Sequence, residues 1–332
     1  MTAPKLHYEH TMRNVPGTAQ IIDFVMSLVR MSRVSPSAAN IAALFEEQGI
    51  HPNAAVMLEA MARYEICGQQ TFVLGPGMRT AFQNTTLDGV LYEDLHLPHE
   101  AFYIHLADCD WKLWGGSRSG WHQVSGIYVN RTPQCIAFAI WGPENERSTE
   151  PGDDAHAWIR LQPAPGKSLE EVLQATFAHT ETSDLTVVPE PDVQQLAYIN
   201  AVRVAINMCM YLTCEDAQTV TQTAAQRRAP LEAELRRKKN PGKAKVIERR
   251  LAQLSKAAIT RVGGKYESHL AAALGGATRQ HIVRGHFHTY CTGPGRTQRI
   301  RRFVFPFVRG TKDPAYESRR YVVTEPEETS SS

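Results

Sequence analysis

Apolar residues near the N-terminus recur at the spacing of an α-helix. The first set is Ile22, Val25, Met26 and Val29. A second helix is predicted over residues 38–48, with Gly49 at its end, and a third begins at Pro52 and runs to about Cys67. These patterns predict a helical region over residues 1–68.

The period changes from helical to twofold after residue 70. Apolar residues now alternate with polar ones in segments separated by Gly- and Asn-containing turns. The alternating sets are Phe102, Ile104 and Leu106; Ile127 and Val129; and Ile136, Phe138 and Ile140. Because successive side chains of a strand point to opposite faces, this pattern predicts a mostly antiparallel sheet within a β-rich region over residues 69–180. The expected fold class is α+β.

Tryptophan is concentrated in one part of the β-rich region. Four of the five tryptophans lie at positions 111, 114, 121 and 141, around the sequence DWKLWGGSRSGW. An indole ring supplies apolar area and one hydrogen-bond donor, so a Trp-rich loop with glycines suits a recognition surface. The same rings could instead cap the core of the sheet, and both interpretations stay open. If the loop binds a partner, Trp114 and Trp121 are the candidate walls of its pocket.

The β-rich region ends with a short helix, ahead of which Ser168 and Glu171 form a capping box, and residues 181–192 are predicted to be a linker. Helical periodicity then returns in the region 192–264. A long helix follows from Val193 to Leu212, with one apolar face made of Leu196, Ile199, Val202, Ile206 and Met210. The polar segment after it is interrupted at Asn240-Pro-Gly242, which predicts an exposed hairpin of two helices because Pro and Gly do not continue a helix.

The C-terminal stretch 279–310 has the pattern of a β-hairpin, with the turn at Thr292-Gly-Pro-Gly295. Alternation places a polar row on one face of the outgoing strand, made of Ile282, Arg284, His286, His288 and Tyr290. On the return strand it groups Phe303, Phe305 and Phe307 with Arg299 and Arg301. One face is therefore expected to be aromatic and apolar, and the other to carry Arg, His and Tyr.

Three kinds of chemistry fit that polar row. Two histidines on a strand can hold a metal ion, but no third ligand is evident and neighbouring arginines disfavour a cation, so we expect no metal and no cofactor. His286, His288 and Tyr290 are candidate catalytic groups, since two histidines can share acid and base roles in RNA cleavage while Arg stabilises the phosphate. Alternatively the row is structural or binds a peptide, with Arg gripping a carboxylate or phosphate. The pattern favours a binding protein and leaves ribonuclease activity open.

Charge is distributed unevenly, although the net charge is only +2. Residues 80–195 carry 17 acidic and 6 basic side chains, whereas residues 227–256 carry 11 basic and 3 acidic ones, a balance of +8. Residues 279–320 add 10 basic and 2 acidic side chains. A concentration of this size is typical either of a solvated face or of contact with RNA or the ribosome. The candidate RNA-binding residues are Arg236, Arg237, Lys238, Lys239, Lys243, Lys245 and Arg296.

Other features place the chain in the cytoplasm. No apolar run reaches the roughly 18 residues that span a bilayer, and no secretory signal begins the sequence, so no membrane partner is expected. Six scattered cysteines without a CxxC pair indicate reduced, mostly buried thiols. Residues 321–332 are expected to form an acidic, disordered tail.

The order of these features resembles the family of type V-A anti-CRISPR proteins that suppress biogenesis of the effector nuclease. The resemblance covers most of the chain beyond about residue 15. It depends chiefly on three segments of the C-terminal hairpin, Arg284–Tyr290, Gly293–Arg296 and Pro306–Gly310. A Trp-bearing β region, an apolar helix and a basic segment precede them in the same order.

The resemblance implies a mechanism that starts at the ribosome. Such proteins recognise the N-terminal peptide of the type V-A effector nuclease as it emerges, and the encoding mRNA is lost. In this chain Arg284 and Arg309 would anchor charged groups of the peptide, with Trp114 and Trp121 beside it, and the ribosome or mRNA would be the second partner. Two alternatives remain: a metal-independent ribonuclease of a phage or plasmid, and an RNA-binding regulator that is not an enzyme.

Overall fold

The structure is a computed structural model, and it describes residues 8, 11–12, 18–31, 52–106, 108–115, 120–132, 134–142, 155–178, 188–237, 241–254, 256–264, 281–292 and 294–309. The predicted helix at 38–48, Lys238, Lys239 and the tail at 321–332 lie outside these residues. The helices are α1 (Thr18–Met31), α2 (Pro52–Ile66), α3 (Pro76–Gln83), α4 (Leu169–Ala178), α5 (Pro191–Leu212), α6 (Ala224–Arg237) and α7 (Pro241–Gln253). Short 3₁₀ turns occur at Tyr92–Asp94 and Pro294–Arg296.

Thirteen strands are present in the described part of the chain. They are β1 (Gln70–Leu74), β2 (Ala101–Leu106), β3 (Lys112–Trp114), β4 (Trp121–Gln123), β5 (Gly126–Arg131), β6 (Ile136–Gly142), β7 (Ala155–Leu161), β8 (Thr219–Gln222), β9 (Ala258–Val262), β10 (His281–Val283), β11 (His286–Thr292), β12 (Gln298–Val304) and β13 (Phe307–Arg309). Seven form one sheet in the order β7-β6-β5-β2-β1-β9-β8. Strand β1 runs parallel to both neighbours, and the other pairs of this sheet are antiparallel. The predicted α+β class with a mostly antiparallel sheet is confirmed.

Helices cover both faces of the large sheet. Phe102 and Ile104, two of the alternating apolar residues, belong to a core that includes most of α5. Tyr103, between them, is only 1% exposed and packs on the opposite side with Tyr64 of α2. Tyrosine and alanine occupy this second face. The alternating pattern counted these positions as polar and therefore did not reveal that they are buried.

Helix α5 supplies the centre of the main core. It begins at Pro191, two residues before the predicted start, and its C-terminal half is buried on nearly every side. The predicted apolar face is wrong at its beginning, because Leu196 is 57% exposed and Ile199 is half-buried. The polar residue Asn207 is buried instead, and its amide donates hydrogen bonds to the carbonyl oxygens of Phe82 (2.8 Å) and Thr85 (3.2 Å). A helix surrounded by core does not require a clean apolar stripe.

Two local sequence predictions are confirmed at helix ends. The Ser168 hydroxyl accepts the Glu171 N–H at 3.2 Å, and the Glu171 carboxylate accepts the Ser168 N–H at 2.8 Å, which completes the capping box. These bonds to Ser168 lower the pKa of Glu171. Helix α6 ends at Arg237 and α7 begins at Pro241, a position where proline is tolerated, so two helices do lie on either side of the predicted break. Helices α6 and α7 pack on each other, and we call this pair of helices the helical hairpin.

The C-terminal strands form two ladders where one hairpin was predicted. Strand β11 pairs with β12, and β10 pairs with β13, all antiparallel. The return strand is interrupted at Phe305 and Pro306, since proline cannot donate to a ladder. The alternation of Phe303, Phe305 and Phe307 therefore breaks: Phe303 is 4% exposed and Phe307 is 47% exposed. No helix among the described residues is both long enough and apolar enough to cross a bilayer.

Candidate functional site

A cavity of about 430 Å³ lies between α3, the β3–β4 ladder and the first turns of α5. Its apolar lining consists of Trp111, Trp121, Val193, Leu196 and Ala197, and we call it the tryptophan cavity. Val193 and Leu196 are 38% and 57% exposed, so the cavity has an apolar rim in contact with solvent. Exposed large apolar residues beside a concave surface are typical of a binding site, whereas the same residues scattered singly are not.

The two tryptophans named from the sequence are brought together but play different parts. Trp114 and Trp121 face each other across the β3–β4 ladder, with ring centroids 5.5 Å apart in an edge-to-face arrangement. Only Trp121 lines the cavity; Trp114 packs against the core, and its backbone N–H donates to Gln194 at 2.7 Å. The other tryptophan of the lining, Trp111, was not singled out, although its place in the same Trp-rich sequence was a usable signal.

Charged side chains surround the tryptophan cavity. Asp110, Lys112 and Glu190 line it, and the Asp110 side chain is 84% exposed. Beneath them the buried Arg79 lies 3.7 Å from Asp110, with its guanidinium 5.8 Å from the ring centroid of Trp111. Burial raises the pKa of the neighbouring Cys109 thiol to about 11, so this cysteine stays protonated and unreactive at neutral pH. The cavity therefore combines an apolar wall with charged groups at its edge.

The candidate anchors Arg284 and Arg309 lie at the base of the C-terminal ladders. Arg284 is exposed between β10 and β11, and Arg309 ends β13 opposite His281. The next residue, Gly285, accepts a hydrogen bond from the Thr86 N–H (2.9 Å) and donates to Asn84 (3.0 Å). A Cβ at this glycine would come within 2.5 Å of the Thr85 hydroxyl, which explains the need for glycine there.

That junction connects the ladders with the tryptophan cavity. Gln83, at the end of α3, lines the cavity, and the segment directly after it pairs with Gly285. The Asn207 amide fixes this segment from the side of α5 through the Phe82 and Thr85 carbonyls. Arg284 is thus the neighbour of a glycine that pairs with the residues directly after Gln83, whereas Trp114 is not part of the cavity lining.

The candidate catalytic residues lie on the solvent side of β11. Strand register places His286 opposite Val304, His288 opposite Arg302 and Tyr290 opposite Ile300. His286, His288 and Tyr290 are all exposed, and the rings of His288 and Tyr290 meet edge to face with centroids 4.3 Å apart. The Arg302 guanidinium is 5.7 Å from the Tyr290 centroid. We call these side chains the outer face, which consists of His286, His288, Tyr290, Ile300, Arg302 and Val304.

The opposite, inner side of the same ladder is held by the core. Phe303 contacts Phe82 and Tyr211, with centroids 5.6 and 5.5 Å away, and Phe287 lies 5.1 Å from Phe303. Arg301 also points to this side and lies 3.3 Å from the Asp94 carboxylate. The sequence correctly separated an aromatic side from a His and Tyr side. It did not identify Arg302 as the arginine that joins the outer face.

The helical hairpin exposes most of its cations. Arg236, Arg237, Lys243 and Lys245 are exposed, and so are Arg249 and Arg250, which were not among the candidates. Arg227 is different, because it donates to the carbonyl oxygens of Gln222 (2.8 Å) and Ala257 (2.7 Å) and fastens the hairpin to the sheet. Arg296, the candidate in the C-terminal turn, is exposed with a φ of 55°. Among the described residues, no three His, Cys, Asp or Glu side chains gather as metal ligands do.

Comparison with known proteins identifies a family. A model described as the AcrVA2-like, Anti-CRISPR type V subtype A2 family matches residues 72–308. Among solved structures, the crystal structure of AcrVA2 is similar over 92% of this chain and 96% of its own, with 12% sequence identity and a TM-score of 0.47. The curated protein sequences contain no match. The matched range includes the tryptophan cavity, the helical hairpin and the outer face.

Proposed function

Because this chain belongs to the Anti-CRISPR type V subtype A2 family, we propose that it recognises the N-terminal peptide of the type V-A effector nuclease during translation. In this proposal the peptide is bound as it leaves the ribosome, the encoding mRNA is lost, and the effector is not produced. The protein acts as a binding protein in the cytoplasm.

The tryptophan cavity is the observation that carries the peptide half of this proposal. Its volume of about 430 Å³ suits one or two side chains of an extended peptide rather than a folded domain. An apolar wall of Trp121 and Leu196 beside Asp110 and Glu190 can accept an apolar side chain followed by a basic one. Arg284 directly precedes Gly285, which is hydrogen-bonded to Asn84 and Thr86 beside the cavity residue Gln83, and this proximity supports a role for Arg284 in meeting an acidic group of the same peptide.

The exposed cations support the ribosomal half of the proposal. Arg236, Arg237, Lys243 and Lys245 are solvent-accessible along the helical hairpin, where a phosphate backbone could neutralise them. A folded-nuclease inhibitor would commonly present an acidic surface that imitates nucleic acid, or an interface to the active-site cleft. The acidic stretch 80–195 could form such an imitation of nucleic acid, so direct inhibition of the folded nuclease is tested as well.

A reporter fusion tests the mechanism. The first few tens of effector codons are joined to a fluorescent protein and co-expressed with this chain. We expect both reporter protein and reporter mRNA to fall, and we expect synonymous recoding to preserve the loss because the peptide is what is recognised. Changing the encoded amino acids should abolish it. An unaffected reporter together with inhibition of purified, guide-loaded nuclease would refute the proposal.

Calorimetry with a synthetic N-terminal effector peptide tests the cavity. Leu196→Ser should weaken binding about tenfold or more, since the peptide would lose the apolar area that it covers on this side chain. Val220→Ser is the matched control, because Val220 is similarly exposed, at 61%, but lies on edge strand β8 away from the cavity. Trp121→Ala and Arg284→Ala should also weaken binding. Equal affinities for wild type and Arg284→Ala would remove Arg284 from the site.

Metal-independent RNA cleavage is a second candidate function, favoured by one observation. His286 and His288 lie two residues apart on one face, and Arg302 lies across the ladder from His288. Two histidines can act as general acid and general base, and an arginine can stabilise the charge on the phosphate. Incubation of the purified protein with bare RNA in a chelator decides between this activity and binding alone.

A further inference from the structure

We propose that the outer face of the β11–β12 ladder is a stacking surface for single-stranded RNA. The inference goes beyond the proposed function, because it assigns RNA bases to a surface that peptide recognition does not use. It needs only that the chain meets RNA, and it would stand if recognition of the nascent peptide failed.

Two aromatic rings and one guanidinium lie side by side on the outer face. His288 and Tyr290 contact each other at 4.3 Å, and Arg302 lies 5.7 Å from the Tyr290 ring, with Tyr290 43% exposed. Aromatic rings and guanidinium planes are the groups on which unpaired bases stack, whatever the base. Exposed tyrosine and histidine on the face of a strand pair, rather than in a pocket, suit a planar ligand.

Charge around the outer face favours an anion. Residues 279–310 contain seven arginines and no Asp or Glu. Arg302 is exposed on the outer face itself, and Arg296 is exposed in the turn that joins β11 to β12. The ion pair that Arg302 makes with Glu215 is 3.5 Å long, and both side chains are more than half exposed, so a phosphate can replace the carboxylate at little cost. Bases on the rings and phosphates on the arginines would satisfy both sets of groups.

The outer face is held in place before any ligand arrives. Phe287 and Phe303 anchor the inner side in contact with Phe82 and Tyr211. The Arg301–Asp94 pair and a backbone hydrogen bond from Glu215 to the Arg301 carbonyl (3.3 Å) fix the return strand. A rigid support reduces the ordering cost of binding.

The occupant is better described as RNA than as an acidic peptide. A carboxylate would satisfy the arginines but would leave the His288 and Tyr290 rings in water. Stacking of bases uses the rings, and the spacing of about 7 Å between alternate residues of a strand allows neighbouring bases to follow the row. Duplex RNA hides its base faces, so the surface should prefer single strands.

Fluorescence anisotropy of the full chain with a labelled oligouridylate of about 12 nucleotides tests the proposal at about 50 mM salt. Tyr290→Ala should weaken binding roughly 5- to 100-fold, as expected for the loss of one stacked base. Tyr290→Phe should retain the wild-type affinity, because the ring is kept. Phe307→Ala is the matched control, since Phe307 is similarly exposed (47%) but lies on β13 outside the outer face. A competing RNA duplex should displace the oligouridylate poorly.

Three results would overturn the inference. The first is no binding of the oligouridylate by wild type, and the second is an unchanged affinity in Tyr290→Ala. The third is a Tyr290→Ala variant that loses effector-peptide binding in calorimetry while keeping RNA binding, which would make the outer face part of the peptide site. Failure of the reporter assay with RNA binding intact would instead refute the proposed function alone.

Discussion

The two basic hairpins of this chain, one helical and one of β-strands, carry their charge on very different supports. The helical hairpin places Arg236, Arg237, Lys243 and Lys245 on an exposed helix pair in which Ile247 and Leu251 are the buried apolar residues among those described. The β11–β12 ladder has Phe303 in the main core and rings on its outer face. Under the two proposals, the helices would contact a phosphate backbone anywhere along their length, whereas the strands would bind unpaired bases at one place.

Removal of the buried apolar side chains that support each hairpin should give the largest changes in stability, and the two hairpins should respond differently. Phe303→Ala is expected to lower the free energy of unfolding by about 3–5 kcal/mol, because a buried aromatic side chain leaves a cavity in the main core. Ile247→Ala should loosen the helical hairpin locally, with little change for the sheet, as measured by amide hydrogen exchange. Phe307→Ala, at an exposed position, should stay within about 0.5 kcal/mol of wild type in urea denaturation. A Phe303→Ala variant as stable as Phe307→Ala would contradict the proposed support of the ladder.

The stability of the large sheet should depend on pH, and this dependence limits the pH range in which the two hairpins can be compared. Burial lowers the pKa of His105 in β2 to about 4, although the charge of Asp108 partly opposes this. The unfolded chain binds the proton below about pH 6.5 and the folded chain does not, so stability should fall as pH drops from about 6.5 to 4, by at most about 3 kcal/mol. Urea denaturation at several pH values measures this fall, and His105→Gln should flatten it. An equally steep fall in His105→Gln would assign the effect to other groups.

Charge reversal in the helical hairpin should show that it binds single-stranded and duplex RNA alike, in contrast to the outer face. Changing Arg236, Arg237, Lys243 and Lys245 to Glu should weaken RNA and ribosome binding roughly 100-fold at about 50 mM salt. The slope of log affinity against log salt should fall by about 3, at about 0.7 for each lost contact with a single strand. Single-stranded and duplex RNA should both be affected, unlike the loss in Tyr290→Ala. Unchanged co-sedimentation with ribosomes would make the helical hairpin a solvated face.

The smallest expected effect is an absence of cleavage. The ring of His288 packs edge to face against Tyr290, and His286 and His288 are exposed, so we expect neither to be oriented as a general base. Bare RNA incubated with wild type in a chelator should therefore stay intact on a denaturing gel, and His286→Ala and His288→Ala should look the same. Cleavage by wild type that His288→Ala abolishes would establish the ribonuclease function instead.

Local patterns in the sequence predicted elements well and predicted their surroundings less well. The capping box at Ser168, the break at Asn240-Pro-Gly242 and the strand alternation around His288 each depend on a few neighbouring residues, so the sequence contains the whole signal. The burial of Tyr103 depends on which helix covers the second sheet face. That information lies in residues far along the chain.

The same limit applies to the candidate site. The sequence indicated Trp121, but exposure of Leu196 at the cavity rim required the position of α5 against β3–β4. Arg301 and Arg302 are adjacent and chemically identical, yet one pairs with the buried side and the other with Tyr290. Alternation along β12 predicted that they lie on opposite faces, but their partners Asp94 and Tyr290 depend on strand register and on how the ladder packs on the rest of the chain.

The parallel pairing of β1 with both β2 and β9 has a consequence for how the chain is made. Strand β9 joins β1 from almost two hundred residues further along, so the middle of the sheet has an open edge until most of the chain has left the ribosome. Closing such a long loop costs entropy before any contact forms, which slows folding. Until then the backbone of Phe72, Val73 and Leu74 is an unpaired apolar edge, the kind that pairs with other chains. Products that end before residue 258 should therefore aggregate, and synthesis of the last quarter of the chain should determine the yield of native protein.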